Sequence, residues 1–152
     1  MVKRIPASIG VAILALAAAI GGIGWLTAQA GEERPAWGQL AFAALLAALV
    51  LGGILARRRL AWLWGYTLSL FLALLQALTL GGALYQGIPF PLGTMLLLGG
   101  VAAALLITFL ALGRRSALAW FDLVCPACRT PSRMGADLLF RKAHCRKCGN
   151  VW

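Results

Sequence analysis

Residues Leu60–Gly113 read LAWLWGYTLSLFLALLQALTLGGALYQGIPFPLGTMLLLGGVAAALLITFLALG, and none of these 54 residues carries a charge. A helix needs about 20 apolar residues to cross the roughly 30 Å hydrocarbon core of a bilayer. The stretch is therefore too long for one membrane span and suits two. The segment Gly87–Pro91 (GIPFP) divides it, because its two prolines and its glycine end a helix.

Two shorter charge-free stretches precede it, Ile5–Gly31 and Pro35–Ala56, and each is long enough for one span. We predict four spans, at about 6–29, 37–56, 61–85 and 92–113. The expected fold class is an all-α membrane protein. Its transmembrane four-helix bundle would occupy residues 1–115, followed by an interfacial linker at 116–124 and a small C-terminal module at 125–152.

The overall composition agrees with a membrane protein. Hydrophobic residues make up 62% of the chain and charged residues 12%, about half the roughly 25% typical of soluble domains. The net charge is +10, from 14 Lys and Arg against 4 Asp and Glu. In a soluble protein that excess would indicate a nucleic-acid partner, but in a membrane protein it first indicates topology.

The basic residues fall on one side of the predicted spans. All except Arg34 lie before the first span, between the second and third spans, or after the fourth span. The positive-inside rule therefore places both termini in the cytoplasm, and we expect a bacterial or archaeal inner membrane. Arg57, Arg58, Arg59, Arg114 and Arg115 are expected to meet anionic lipid headgroups, with the indoles of Trp62 and Trp120 at headgroup level.

The N-terminus permits a second interpretation. MVKR, an apolar run and the small residues Ala28–Ala30 (AQA) imitate a secretory signal peptide with a cleavage site. Cleavage would leave three spans and the same cytoplasmic C-terminal module. The apolar run exceeds the roughly 7–15 residues usual in a signal peptide, which favours a retained span.

The predicted spans contain no Asp, Glu, Lys, Arg or His. Ion pathways, proton relays and substrate sites in membranes usually depend on such groups. The pattern therefore disfavours a transporter or channel, and no catalytic residues or organic cofactor are assigned. We expect a protein that is not an enzyme.

The four cysteines of the chain lie together near its C-terminus, in CPACRTPSRMGADLLFRKAHCRKCGNVW, Cys125–Trp152. Cys125 and Cys128 form one C-x-x-C pair, and Cys145 and Cys148 form another. Two such pairs at this separation are typical of a Zn²⁺ site in which four thiolates surround one ion. A cytoplasmic location agrees, because structural disulfides are rare there. His144 is interpreted as a solvated neighbour of the site.

The motifs CPAC and CRKCGNVW resemble the two knuckles of a zinc ribbon. The family often has proline after the first cysteine, glycine after the last, and an aromatic residue shortly beyond. The resemblance covers about 28 of the 152 residues. It implies a small β zinc ribbon with strands at Ala136–Lys142 and Asn150–Trp152. The sequence departs from the pattern at Arg129, where the family often has glycine, and this puts the local turn geometry in question.

The segment from Cys125 onward carries six basic residues against Asp137. We predict a non-enzymatic accessory or structural subunit of a membrane complex, with membrane-protein partners or further copies of itself. Its basic module would dock on a cytoplasmic partner or on anionic lipid. Two alternatives stay open at this point: a membrane-tethered nucleic-acid-binding regulator, and a membrane thiol oxidoreductase that uses the C-x-x-C pairs.

Overall fold

Three long helices dominate the computed structural model, which describes residues 5–29, 45, 48–87, 91–131 and 143–152. Helix α1 is Ala7–Gln29, α2 is Arg59–Tyr85, and α3 is Leu92–Leu112, with 23, 27 and 21 residues. At 1.5 Å per residue each helix is at least about 30 Å long, enough to cross a bilayer. All three are also apolar enough to do so, and their bounds lie within two residues of the first, third and fourth predicted spans.

The second predicted span, 37–56, lies partly outside the described residues. Within the described part, residue 45 and residues 48–55 are helical. A turn follows at 56–58 and leads into α2. Gly53 packs so closely against α2 that a Cβ at this position would collide with the Cβ of Ala61.

Prolines set where the helices begin. The carbonyl of Pro6 accepts from the backbone N–H groups of Ile9 and Gly10 at the start of α1. The carbonyl of Pro91 does the same for Thr94 and Met95 at the start of α3. Proline is favoured at such positions because its missing N–H would have no partner within the helix.

Packing is densest at one end of the helices. There Trp62 is buried in one cluster with Ile54, with Ile9 of α1 and with Leu112 of α3. Toward the middle of the bundle a second cluster joins the three long helices through Ala19, Ala73, Val101 and Leu105. Leucines on the outer faces of the helices are exposed. Leu14 and Leu78, for example, are 72% and 73% exposed, as expected for surfaces that face lipid.

Four hydroxyl groups on α2 and α3 form hydrogen bonds within their own helices. Thr67, Ser69, Thr79 and Thr108 each donate to a backbone carbonyl three or four residues earlier. This pattern satisfies the hydroxyls without a partner from another helix.

Two tryptophans beside the arginine clusters are buried in the protein. Trp62 is 2% exposed and its Nε1 donates to the carbonyl of Leu112, 3.0 Å away. Trp120 is 8% exposed, and its Nε1 donates to the carbonyl of Ile54 at 3.4 Å. The ring N–H groups of both residues therefore bond to carbonyls of the protein and not to lipid headgroups.

A short helix, α4 (Arg115–Trp120), follows α3 after a turn at Gly113. Its residues Ala117 and Leu118, and Phe121 and Leu123 just beyond it, are fully or almost fully buried in the dense end of the bundle. The Oγ atoms of Ser8 and Ser116 are 2.8 Å apart and join α4 to the start of α1. The chain thus enters the cysteine-containing segment from a position fixed against the helices.

Candidate metal centre

The two C-x-x-C segments adopt the same backbone turn. In the first, the carbonyl of Cys125 accepts from the N–H of Arg129 at 2.9 Å, and the N–H of Cys125 donates to the carbonyl of Thr130 at 3.0 Å. In the second, Cys145 makes the equivalent bonds with Gly149 and Asn150, at 2.9 and 2.8 Å. Each turn points both of its cysteines toward one side.

The residue after each C-x-x-C segment has a left-handed backbone. The φ angle is +54° at Arg129 and +73° at Gly149. Glycine reaches this region freely, whereas a residue with a Cβ does so at a cost of roughly 1–2 kcal/mol. Arg129 therefore adopts the same left-handed backbone as Gly149, although it is not a glycine.

Short backbone pairings close each loop. Val124 pairs with Pro131 across the first turn, and His144 pairs with Val151 across the second, both antiparallel. Ala143 and Trp152 extend the second pairing through two N–H to carbonyl bonds of 2.7 and 2.9 Å. The described residues 123–131 and 143–152 thus contain isolated β-bridges and no sheet. The predicted strand 136–142 lies outside the described residues.

The four cysteine Sγ atoms converge, and all lie within 4.8 Å of one another. The Sγ atoms of Cys125 and Cys148 are 3.6 Å apart, and those of Cys128 and Cys145 are 3.4 Å apart. These separations far exceed the roughly 2.05 Å of a disulfide, and all four cysteines are free. A single metal ion can contact all four sulfurs. His144, the neighbour considered in the sequence, is exposed and outside this group.

The electrostatic surroundings prepare the cluster for thiolates. The hydroxyl of Thr130, whose Oγ1 lies 3.2 Å from Sγ of Cys128, and the Thr130 N–H lower the pKa of Cys128 to about 6. Desolvation raises the pKa of Cys125, but the N–H groups of Cys128 and Ala127 outweigh it and the net shift is downward.

Cys148 behaves in the opposite way. The N–H of Asn150 lowers its pKa, but desolvation and the other three thiols together raise it to about 12. Four adjacent thiolates repel one another, so the last proton is hard to remove without a cation. A metal ion supplies that positive charge and displaces the proton.

The backbone carbonyl of Asp122 joins the cysteine segment to the helices. It accepts from Nη2 of Arg59 at 3.1 Å and from Nε1 of Trp152 at 3.0 Å. Arg59 begins α2, whereas Trp152 closes the second cysteine loop. One carbonyl therefore receives hydrogen bonds from both parts of the molecule.

Arg57 makes the other connection between them. Its Nε donates to the carbonyl of Trp120 at 2.9 Å, and its guanidinium carbon lies 4.8 Å from the centre of the Trp120 ring. Its Nη2 is 3.4 Å from the carboxylate of Asp122. Two of the arginines expected at lipid headgroups, Arg57 and Arg59, thus form hydrogen bonds with the protein. Arg58 is exposed.

Asp122 is the residue that the sequence interpretation missed. One signal was present: Asp122 is the only acidic residue between Glu33 and Asp137. In a chain with so few acidic residues, an isolated carboxylate just before Cys125 is a candidate partner for the arginines.

Comparison with protein-family models, curated proteins and solved structures gave no match for this chain. The fold and the cluster still define a class. It is an apolar helical protein with three helices long and apolar enough to cross a membrane. At one end it carries four clustered cysteines that could hold a metal ion.

Proposed function

We propose that the chain is a four-span integral membrane protein whose cytoplasmic, zinc-stabilised module docks on other components. In this account it is a non-enzymatic accessory or structural subunit of a membrane complex. The observation that carries the proposal is the convergence of four Sγ atoms within 4.8 Å, held against the arginine-rich end of apolar helices.

Zinc is the metal that suits this site. A tetrahedral zinc site with bonds of about 2.3 Å to sulfur places its sulfurs about 3.8 Å apart. The two sulfur pairs at 3.4 and 3.6 Å are within a few tenths of an ångström of that separation. The other sulfur pairs, all within 4.8 Å, would shorten by up to about 1 Å when zinc binds. A module this small has little core of its own, so the metal would supply much of its folding free energy.

Topology supports a cytoplasmic position for the module. Ser8, Ser116, Arg57 and Asp122 are joined by contacts at the same end of the helices. The start of α1 and the basic clusters at 57–59 and 114–115 therefore lie at the same end of the helices. The positive-inside rule expects such clusters on the cytoplasmic side.

The docking surface would be the tips of the two cysteine loops. Arg129, Arg146 and Lys147 are exposed there, and none forms an ion pair within the described part of the chain. A short basic surface held rigidly near the membrane suits an acidic face of a protein partner or anionic headgroups.

The decisive experiment is extraction of the full chain in mild detergent, followed by native mass and identification of co-purifying chains. The proposal expects a larger assembly with a reproducible partner, which the triple variant R129Q/R146Q/K147Q loses. A chain that stays alone or self-associates, with the variant unchanged, would overturn the accessory role.

Thiol chemistry is the second candidate, favoured by the lowered pKa of Cys128. The closest sulfur pairs join the two loops and do not lie within either C-x-x-C segment. Oxidation would therefore link Cys128 to Cys145 or Cys125 to Cys148. Recovery of such a reversible disulfide in metal-free protein would favour this candidate over docking.

A further inference from the structure

A cleft of about 230 Å³ opens between the first turns of α1 and the last turns of α3. It lies at the end of the bundle that carries the arginines and is separate from the cysteine cluster. Its lining includes Ala7, Ser8, Val11, Ile107, Leu110 and Arg114.

The cleft is polar at one end and apolar at the other. Arg114 and Ser8 mark the polar end, beyond the last turn of α3. Val11 and Ile107 form the apolar walls, and each is about half exposed. Ile107 lies on α3, five residues before the helix ends at Leu112, and is therefore about 8 Å deeper along the helix axis than that end. The polarity therefore changes in the direction in which a bilayer changes from headgroup to hydrocarbon.

Arg114 differs from its counterparts before α2. Arg57 and Arg59 donate to carbonyl groups of the protein. The guanidinium of Arg114 is exposed and makes no hydrogen bond or ion pair with the described residues. Asp122 is the only acidic residue in the described part of the chain, and its carboxylate already faces Arg57. The cleft therefore has a positive charge that no group among the described residues neutralises.

We propose that this cleft is a binding site for one anionic phospholipid. The phosphate would pair with the guanidinium of Arg114, which can donate two parallel hydrogen bonds to it. The upper part of one acyl chain would lie along Val11 and Ile107. The inference rests on the proposed membrane insertion and goes beyond the proposed docking role, because it involves other residues.

The size and shape of the cleft favour a lipid over an enclosed small molecule. Pockets that enclose a drug-sized ligand hold about 300–1,000 Å³, more than this cleft offers. A phospholipid needs only partial enclosure, because the surrounding bilayer accommodates the rest of it. Anionic lipid is favoured over zwitterionic lipid because the cleft offers no carboxylate for a choline group.

The test is native mass spectrometry of the full chain, delipidated in detergent and titrated with phosphatidylglycerol, with phosphatidylcholine and with inorganic phosphate. R114Q removes the charge, and V11F fills the apolar part of the cleft. The matched controls are R115Q, at an exposed arginine outside the cleft, and L14F, at an exposed leucine one turn further along α1.

We expect one tightly retained phosphatidylglycerol, with affinity about fivefold lower in R114Q and also lower in V11F. L14F should bind like the unaltered chain, and R115Q should keep the one tightly retained phosphatidylglycerol even if it loses weaker headgroup contacts. Equal losses in R114Q and R115Q, equal binding of phosphatidylcholine, or equal binding of free phosphate would overturn the site. Membrane insertion is tested separately by carbonate washing of membranes. Release of the chain would refute the proposed function itself.

Discussion

Nη2 of Arg57 lies 3.4 Å from both carboxylate oxygens of Asp122, 65 positions further along the chain. Both residues have left-handed backbones, with φ of +57° and +53°. Two chain reversals therefore meet at this point, one before α2 and one before the first cysteine loop. This contact and the shared carbonyl of Asp122 fix the cysteine segment against the helices.

Replacement of Arg57 should weaken that attachment. R57A removes the bond to the Trp120 carbonyl and the contact of the guanidinium with the Trp120 ring. We expect a loss of about 1–2 kcal/mol in the free energy of unfolding, measured as a lower Tm of the detergent-solubilised chain. The ion pair with Asp122 contributes little to this value because it is exposed.

The control is R58A, because Arg58 is exposed and its change should stay within about 0.5 kcal/mol. R57K should fall between the two, since lysine keeps the charge but loses the planar fork. Equal Tm values for R57A and R58A would show that the attachment does not depend on Arg57.

The hydrogen bond donated by the indole N–H of Trp62 should also stabilise the fold. In the unaltered chain, Nε1 of Trp62 donates to the buried carbonyl of Leu112 at 3.0 Å. W62F keeps an aromatic ring but leaves that carbonyl without a donor. We expect a cost of about 1–3 kcal/mol, again read from Tm. W64F changes the same residue type at a position that is 52% exposed, and should have little effect. A W64F loss as large as that of W62F would contradict the buried role of Trp62.

The helices and the cysteine cluster were predictable from sequence for a simple reason. Charge-free stretches and C-x-x-C spacing are local patterns, and they report directly on membrane spans and metal ligands. The helix ends at Tyr85 and Leu92 follow from the GIPFP segment for the same reason.

The attachment of the cysteine segment was not predictable in this way. It depends on Asp122 and Arg57, which meet only after the chain has folded. The burial of Trp62 and Trp120 was missed because the same sequence pattern, an arginine cluster next to a tryptophan, occurs in two settings. It is found at lipid interfaces and also where helix ends pack inside a protein. The partner of the indole N–H decides between the two, and it lies far away in sequence.

The equivalent turns after the two cysteine pairs give opposite predictions for two substitutions. R129G relieves a left-handed backbone and should stabilise the metal-bound module, by less than about 1 kcal/mol because glycine also adds freedom to the unfolded chain. G149A introduces the same strain and should weaken metal binding by about 1 kcal/mol or more. Both are measured by competition for zinc with a chelator.

R129G also removes a positive charge. R146Q and K147Q remove one at neighbouring exposed positions and serve as controls for that effect. A loss of zinc affinity in R129G, or none in G149A, would show that the two turns do not share the geometry described above.

Removal of the metal should affect the two parts of the chain differently. Chelation should increase hydrogen exchange in residues 123–131 and 143–152, because the converging thiols no longer hold the loops together. The long helices should keep their protection, since their packing does not involve the cysteines. Global loss of protection on chelation would mean that the metal stabilises the whole fold, and unchanged protection would mean that the module folds without it.

The most direct test of the account is the zinc content of the full chain purified in mild detergent under reducing conditions. We expect about one zinc per chain, lost in the C128S/C145S double variant and retained when His144 is replaced by alanine. A metal-free chain whose Cys128 and Cys145 form a reversible disulfide would contradict the proposed zinc site. It would favour the thiol oxidoreductase.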